Sequence, residues 1–439
     1  MKSIGLFLKE ELTEEPDNAP CYVKRGGRNI EIMYNKAKRG EGMIRIDLYG
    51  EVDFEKVDLK EIREESIPDF ASFIPNFEEI QTLTQKYKDY KSLIIIGNGG
   101  SITSFWAFYK CLAEYKSQKE VFILSTMDPD LVSSLKGKCS KEGTLIIAIS
   151  KSGDTVGVLE DLFAFEGYPV VAITTEGKGA LWEIAQRRGW DYLIIPQPIG
   201  GRFSGRTPCG YFPASLLGID IAGIDEGANQ MYEMCRPTSP LKENPALRLA
   251  CFLYLLDQMG YTEIFHPVYS PRLEGFIPLL IQLIHESTGK EGKGQTIYGS
   301  LAPESQHHTN QRFFGGRRNV CGLFLIVEEF DQEMVTSVPM DLKDIGLQNQ
   351  TLMVLDGIPL NRAVFFEYLG TQQDALKNSI PHAVVVLKKI TPQSVGQFLA
   401  LIHYLAVYSS LLRGVNPFDQ PQVEASKKIS FSLRRDFKR

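Results

Sequence analysis

Between Lys91 and about residue 196, short β-branched runs alternate strictly with amphipathic stretches. In order they read "SLIIIGNG", "SITSFWAFYKCLAEY", "EVFILSTM", "DLVSSLKG", "GTLIIAISKSG", "DTVGVLEDLFAFE", "YPVVAITTE", "GALWEIAQRRG" and "DYLIIPQP". Strand and helix in turn predict a parallel sheet with helices on both faces. The segment "GGRFSGRTPCGYF" breaks this pattern, and after "LRLACFLYLLDQMG" a second alternating series runs from "TEIFHPVYS" through "HAVVVLKKI" to "SVGQFLALIHYLAVYSSLL". The expected fold is α/β, with two three-layer αβα units, each built on a mainly parallel sheet. The first unit spans 61–240 and the second 241–415, after an N-terminal arm at 1–60 that includes "MIRIDLYGEV" and before a C-terminal helical tail at 416–439. Ligands of open parallel sheets sit beyond the carboxyl ends of the strands, so the strand-to-helix turns are the places to search.

Charge and cysteine usage narrow the function classes. The net charge of −6 provides no basic field for a phosphate backbone. The last thirteen residues, "KKISFSLRRDFKR", carry six basic side chains against one acidic, which reads as a solvated terminal helix. Cysteines at 21, 111, 139, 209, 235, 251 and 321 form no CxxC pair and are odd in number, so neither a disulfide framework nor a zinc ribbon is expected. They read as small buried hydrophobes in a reducing compartment. The apolar part of "MKSIGLFLKEEL" is too short for a signal peptide, and no bilayer-length apolar run is expected. A cytoplasmic protein without membrane or nucleic-acid partners follows as the expectation.

Three turns carry candidate chemistry. Gly97-Asn98-Gly99-Gly100-Ser101 lacks the third glycine of a dinucleotide fingerprint, since Ile102 stands there, and lacks the Gly-Lys-Ser/Thr of a triphosphate loop. What it offers is close approach to backbone N–H groups at a helix N-terminus, with Ser101 as a hydroxyl donor or, alternatively, a plain helix cap. Ser150-Lys151-Ser152-Gly153-Asp154-Thr155 puts three hydroxyls and a lysine before the next helix but one, a composition suited to a phosphate monoester dianion. Gly200-Gly201-Arg202-Phe203-Ser204 sets a planar cation beside a bare backbone, where it could stabilise charge developing on oxygen or serve as a structural arginine.

The second half adds acid–base candidates. Glu286 closes the apolar helix "FIPLLIQLIHESTGK"; desolvation there would raise a carboxylate pKa toward a general base's range, whereas a solvated helix end would not. His285 points elsewhere on that helix and reads as packing. His307 and His308 diverge, so they form no metal site, and one of them could act near neutral pH. His266, His382 and His403 fall on strands or an apolar helix and read as core residues.

In order, "GNGGS" at 97–101, "SKSGDT" at 150–155, "GGRFS" at 200–204, "QLIHESTGK" at 282–290 and "SQHH" at 305–308, with a weaker "FDQPQVEASK" at 418–427, resemble the glucose-6-phosphate isomerase family of two sugar-isomerase (SIS) domains. The resemblance implies substrate contacts from Gly100, Ser101, Ser150, Lys151, Ser152, Thr155, Gly201 and Gln420. It also implies Glu286 as the base that shuttles a proton between C1 and C2, and Arg202 as the stabiliser of the intermediate's charge. His307 and Lys427 are linked to ring opening, with His307 supplied by the neighbouring subunit of a homodimer. No metal and no cofactor is implied, and the substrate is a hexose 6-phosphate. Gly153 and Asp154 replace the hydroxyl-bearing or aromatic residues usual in the family loop, and Pro421-Gln422 replaces Trp-Gly. Activity on mannose 6-phosphate and a non-catalytic sugar-phosphate-binding role stay open as alternatives.

Overall fold

The computed structural model describes residues 44–437 and, separately, the strands Tyr22–Arg25 and Arg28–Glu31, which pair as an antiparallel hairpin. The rest of the expected arm before residue 44, with Cys21, lies outside the described residues.

The five apolar runs of the first series form one parallel sheet, in the spatial order Glu120–Leu124, Ser92–Ile96, Thr144–Ser150, Val170–Thr174, Asp191–Ile194. Its three central strands are buried at every residue, which is why their sequences show no polar alternation. The chain leaves Ser92–Ile96 for a neighbour on one side, then crosses back to Thr144–Ser150 on the other. That reversal opens a crevice beyond the carboxyl ends of these two strands. Gly97–Ser101 and Ser150–Thr155 are the loops at those ends.

The second sheet repeats the plan with Thr296–Leu301, Glu263–Val268, Val320–Glu329 and His382–Lys389 in parallel order. Its fifth strand is Arg45–Tyr49, antiparallel to His382–Lys389. Residues 45–49, expected in a separate arm, therefore belong to the second sheet; Ile46 supplies a buried apolar face, a role open to any short strand that reaches an unpaired edge.

Helices tie the two sheets together. Pro392–Leu411 is long and apolar enough to cross a bilayer, contrary to the expectation of no such run. It is buried almost throughout by protein and packs along Ile221–Met234. The approach is backbone to backbone, for a Cβ on Gly396 would stand 1.9 Å from the Ile224 carbonyl oxygen. The terminal helix Glu424–Phe437 buries no residue, as a solvated helix should, and is held by the Arg434 guanidinium on both Glu160 oxygens at 2.6 and 2.7 Å.

His266, His382 and His403 are fully buried core residues. His266 Nδ1 and His382 Nδ1 lie 2.6 and 2.9 Å from the carbonyls of Leu323 and Ile380, and His403 Nδ1 lies 2.8 Å from the Tyr232 hydroxyl. Burial lowers the first two pKa values to about 4 and, with the positive Arg206 nearby, His403 to about 3. All three are therefore neutral in the folded state while the unfolded chain protonates near 6.5, so stability is complete above that pH and drains as pH falls toward 4. Urea unfolding should lose about 1.4 kcal/mol per pH unit for each buried histidine across this window, and His382→Asn should flatten the slope. Unfolding midpoints that stay constant from pH 7 to pH 5 would contradict this account.

Candidate active site

The helix Gly100–Leu112 starts at Gly99, whose φ of +55° turns the chain sharply, and no side chain caps it. Ser101 is thus in the first turn and not a cap, and its hydroxyl has no partner among the described residues. Gly100 must lack a side chain, because a Cβ would stand 2.3 Å from the Arg202 nitrogen and from the Gly201 carbonyl carbon. The first loop is thereby pressed onto the Gly201–Arg206 turn.

The second loop opens the helix Val156–Ala164, also without a side-chain cap. Ser150 and Thr155 share a hydrogen bond of 2.8 Å, and Ser152 Oγ accepts from the Asp154 N–H at 3.2 Å. Lys151 is half-buried, and its pKa is lowered by burial and then by repulsion from Lys178. It also senses Cys209, whose thiol burial pushes up to about 11. A dianion between the loops would meet two uncapped helix N-termini, hydroxyls and an ammonium short of a counter-charge, which suits a phosphate monoester.

Arg202 is 2 % exposed. Its Nε donates to Ser287 Oγ at 2.9 Å; Nη1 donates to Glu286 Oε2 at 3.1 Å and Gln420 Oε1 at 2.8 Å; Nη2 donates to the carbonyls of Pro417 at 2.5 Å and Asp419 at 3.1 Å. All five guanidinium donors are engaged, as burial of a cation demands. Burial lowers its pKa, with the Glu286 carboxylate opposing.

Glu286 is 28 % exposed, so it meets the guanidinium with one oxygen and keeps access to the cleft. Its other oxygen accepts from Gln282 Nε2 at 3.0 Å, and Gln282 Oε1 accepts from Thr103 Oγ1 at 3.3 Å. Gln282, Thr103 and Ser287 were not singled out from the sequence. Gln282 had a signal, standing one helical turn before Glu286 on the same face. Thr103 and Ser287 are joined to it only by tertiary folding. His285 Nε2 accepts from the Ile297 N–H at 3.0 Å, consistent with a packing residue.

The structure thus gathers Gly100, Gly201, Arg202, Glu286 and Gln420, and sets Ser101 beside them. Lys427, also expected there, is 64 % exposed and paired with Glu424 at 2.8 Å. His307, expected to serve the site of a neighbouring subunit, is exposed. Lys427 lies beyond the short turn Pro421–Val423, on the helix that Arg434 ties to Glu160, and its ammonium is taken up by the carboxylate three residues before it.

Two mainly parallel sheets, with glycine- and hydroxyl-bearing loops at a switch point and a carboxylate–guanidinium pair, make up a sugar-isomerase (SIS) type fold. The chain belongs to the phosphoglucose isomerase family, whose family model matches residues 184–439, more than half its length. Among its relatives, the glucose-6-phosphate isomerase of Bacillus cereus is 31 % identical over 387 residues, covering 81 % of this chain and 83 % of that protein. Among solved structures, a hypothetical protein from Thermus thermophilus superposes with a TM-score of 0.79 at 24 % identity, covering 85 % of this chain and 94 % of that one. A glucose-6-phosphate isomerase from Chlamydia trachomatis superposes with 0.69 at 21 % identity, covering 82 % and 74 %.

Inorganic phosphate should bind the cradle, and Lys151→Met should weaken it roughly tenfold or more, since a hydrogen bond to a charged group contributes about 1.5–3 kcal/mol. Calorimetric titration of both proteins checks this; equal affinities would remove Lys151 from the site.

Proposed function

We propose that this chain interconverts glucose 6-phosphate and fructose 6-phosphate, moving one proton between C1 and C2 through a cis-enediol intermediate. The observation that carries the reading is the Arg202–Glu286 pair: a buried cation 3.1 Å from a partly open carboxylate, beside the anion cradle. Ser101, Ser150, Lys151, Ser152 and Thr155 hold the phosphate, so that the open-chain carbonyl end reaches toward Glu286. The unit at 61–240 then supplies the phosphate loops and Arg202, and the unit at 241–415 supplies the base.

Glu286 takes the proton from one carbon and returns it to the next. As it does so, its negative charge passes to the substrate oxygen. Arg202 stands beside the carboxylate before transfer and can serve the enediolate afterwards, so the stabilising cation is in place before the charge moves. Because every Arg202 donor is engaged, the oxygen must replace an acceptor, and the Glu286 oxygen, losing charge as it is protonated, is the one that weakens. Gln420 and the Gly201 backbone line the same place.

Opening of the sugar ring needs a separate acid and base. His307, exposed beyond Thr296–Leu301, fits a residue that completes the site of a second copy in a cytoplasmic homodimer, and Lys427 is the other candidate. No metal or cofactor enters this scheme.

An assay of fructose 6-phosphate conversion, run alongside mannose 6-phosphate, tests the reading on wild type and Glu286→Gln. The carboxamide keeps the shape but cannot accept the proton, so the rate should fall roughly 10²–10⁴-fold. An inactive wild type would overturn the reading, and full activity in Glu286→Gln would overturn the base assignment.

A further inference from the structure

The helix that carries the base runs on into Gly289 and Lys290, for which the scheme above has no use. Lys290 is 7 % exposed, an unusual place for an ammonium unless it is paired. Its Nζ donates to the Asn416 carbonyl and lies 2.7 Å from Asp419 Oδ1. Both anchor points lie on the turn Asn416–Gln420. Inside it, Asn416 Oδ1 accepts from the Phe418 N–H at 2.9 Å, and Asn416 Nδ2 donates to Asp419 Oδ2 at 3.3 Å. Three of the five Arg202 donors end on this same turn, at Pro417, Asp419 and Gln420. The Phe418 ring adds a contact on Phe203, with centroids 5.9 Å apart, yet stays 44 % exposed. The turn is therefore held chiefly by two cations, Lys290 and Arg202.

We propose that Lys290 is the positioning residue for Arg202. It fixes the Asn416–Gln420 turn, and the turn's carbonyls fix the plane of the guanidinium against Glu286. Without the ammonium, the Asn416 carbonyl and the Asp419 carboxylate lose their buried partner, and the carbonyls of Pro417 and Asp419 drift from Nη2. A guanidinium with unmet donors turns toward the one carboxylate that already accepts from it, which is Glu286. The base is then held by a tighter pair and the cation is misplaced for the enediolate. The phosphate loops lie on other elements, so the contacts that hold the phosphate are spared.

This inference rests on the isomerase reading, and its test separates the two. Steady-state kinetics on Lys290→Met should show kcat reduced roughly 10- to 100-fold, the scale of a displacement near 1 Å, with KM within about threefold of wild type. Lys290→Arg should recover much of the rate, and Asp419→Asn, a change at a half-exposed carboxylate, should lower kcat in the same direction. Lys290→Met combined with Asp419→Asn should be no worse than Lys290→Met alone. Amide hydrogen exchange across 414–424 should quicken in Lys290→Met, a readout that does not require turnover. An inactive wild type would sink the isomerase reading while exchange still reports on the anchor. Wild-type kcat in Lys290→Met, or unchanged exchange across 414–424, would overturn the positioning role. If Lys290→Met fails to fold, Asp419→Asn decides alone, with an unchanged kcat counting against it.

Discussion

The burial of one guanidinium governs how the functional half of this molecule is assembled. An isolated charge taken out of water is penalised by several kcal/mol, and a guanidinium recovers that only when each N–H finds an oxygen. Arg202 finds them on Ser287, Glu286, Gln420 and the carbonyls of Pro417 and Asp419. Those groups lie 84 to 218 residues away in sequence. Satisfying them sets where the helix Phe276–Thr288 ends and where the chain crosses after Leu411. It also explains Gly100, the only kind of residue that lets the first loop lie against the Arg202 backbone.

Topology delivers the other half of the arrangement. The first sheet reverses its strand order between Ser92–Ile96 and Thr144–Ser150, so the loops after these strands face one crevice. Both loops feed helices with no side-chain cap. Exposed helix N–H groups ordinarily take a Ser, Thr, Asp or Asn cap, as Asp128 caps the helix Pro129–Lys138 and Asn244 caps Pro245–Gln258 in this same chain. The two helices at the switch point lack one, leaving their N–H groups for another acceptor.

Much of this was legible in the sequence because the physical signal was local. Buried parallel strands appear as unbroken apolar runs, and a glycine-rich turn followed by a helix appears as itself. Pairing partners left no such trace. Arg45–Tyr49 reads as a short strand, but nothing in "RIDLY" says that it closes the edge beside His382–Lys389. Gln282 could have been found from its spacing to Glu286, whereas Ser287 and Lys290 acquire meaning only from partners brought to them by folding. Placement of Lys427 could not be read for the same reason: the direction of the terminal helix is fixed by Arg434 on Glu160.

These observations divide the candidate site by kind of force. At the first sheet, recognition would come from backbone N–H groups, hydroxyls and one lysine, contacts that read a phosphate and are indifferent to the sugar beyond it. Where the loops meet the helix Phe276–Thr288, the work would fall on a carboxylate whose two oxygens are already spoken for, one by a cation and one by the Gln282 amide. An amide donor and a guanidinium fix the carboxylate's plane, and a fixed plane decides which carbon of a tethered substrate a proton can leave. Configuration at the neighbouring carbon would then be read by the orientation of Glu286, set through Thr103, Gln282 and Arg202, and not by the phosphate loop with its Gly153 and Asp154. The departures in the loop would then bear on affinity, and the identity of the hexose would be set one layer away, by groups that never touch the phosphate.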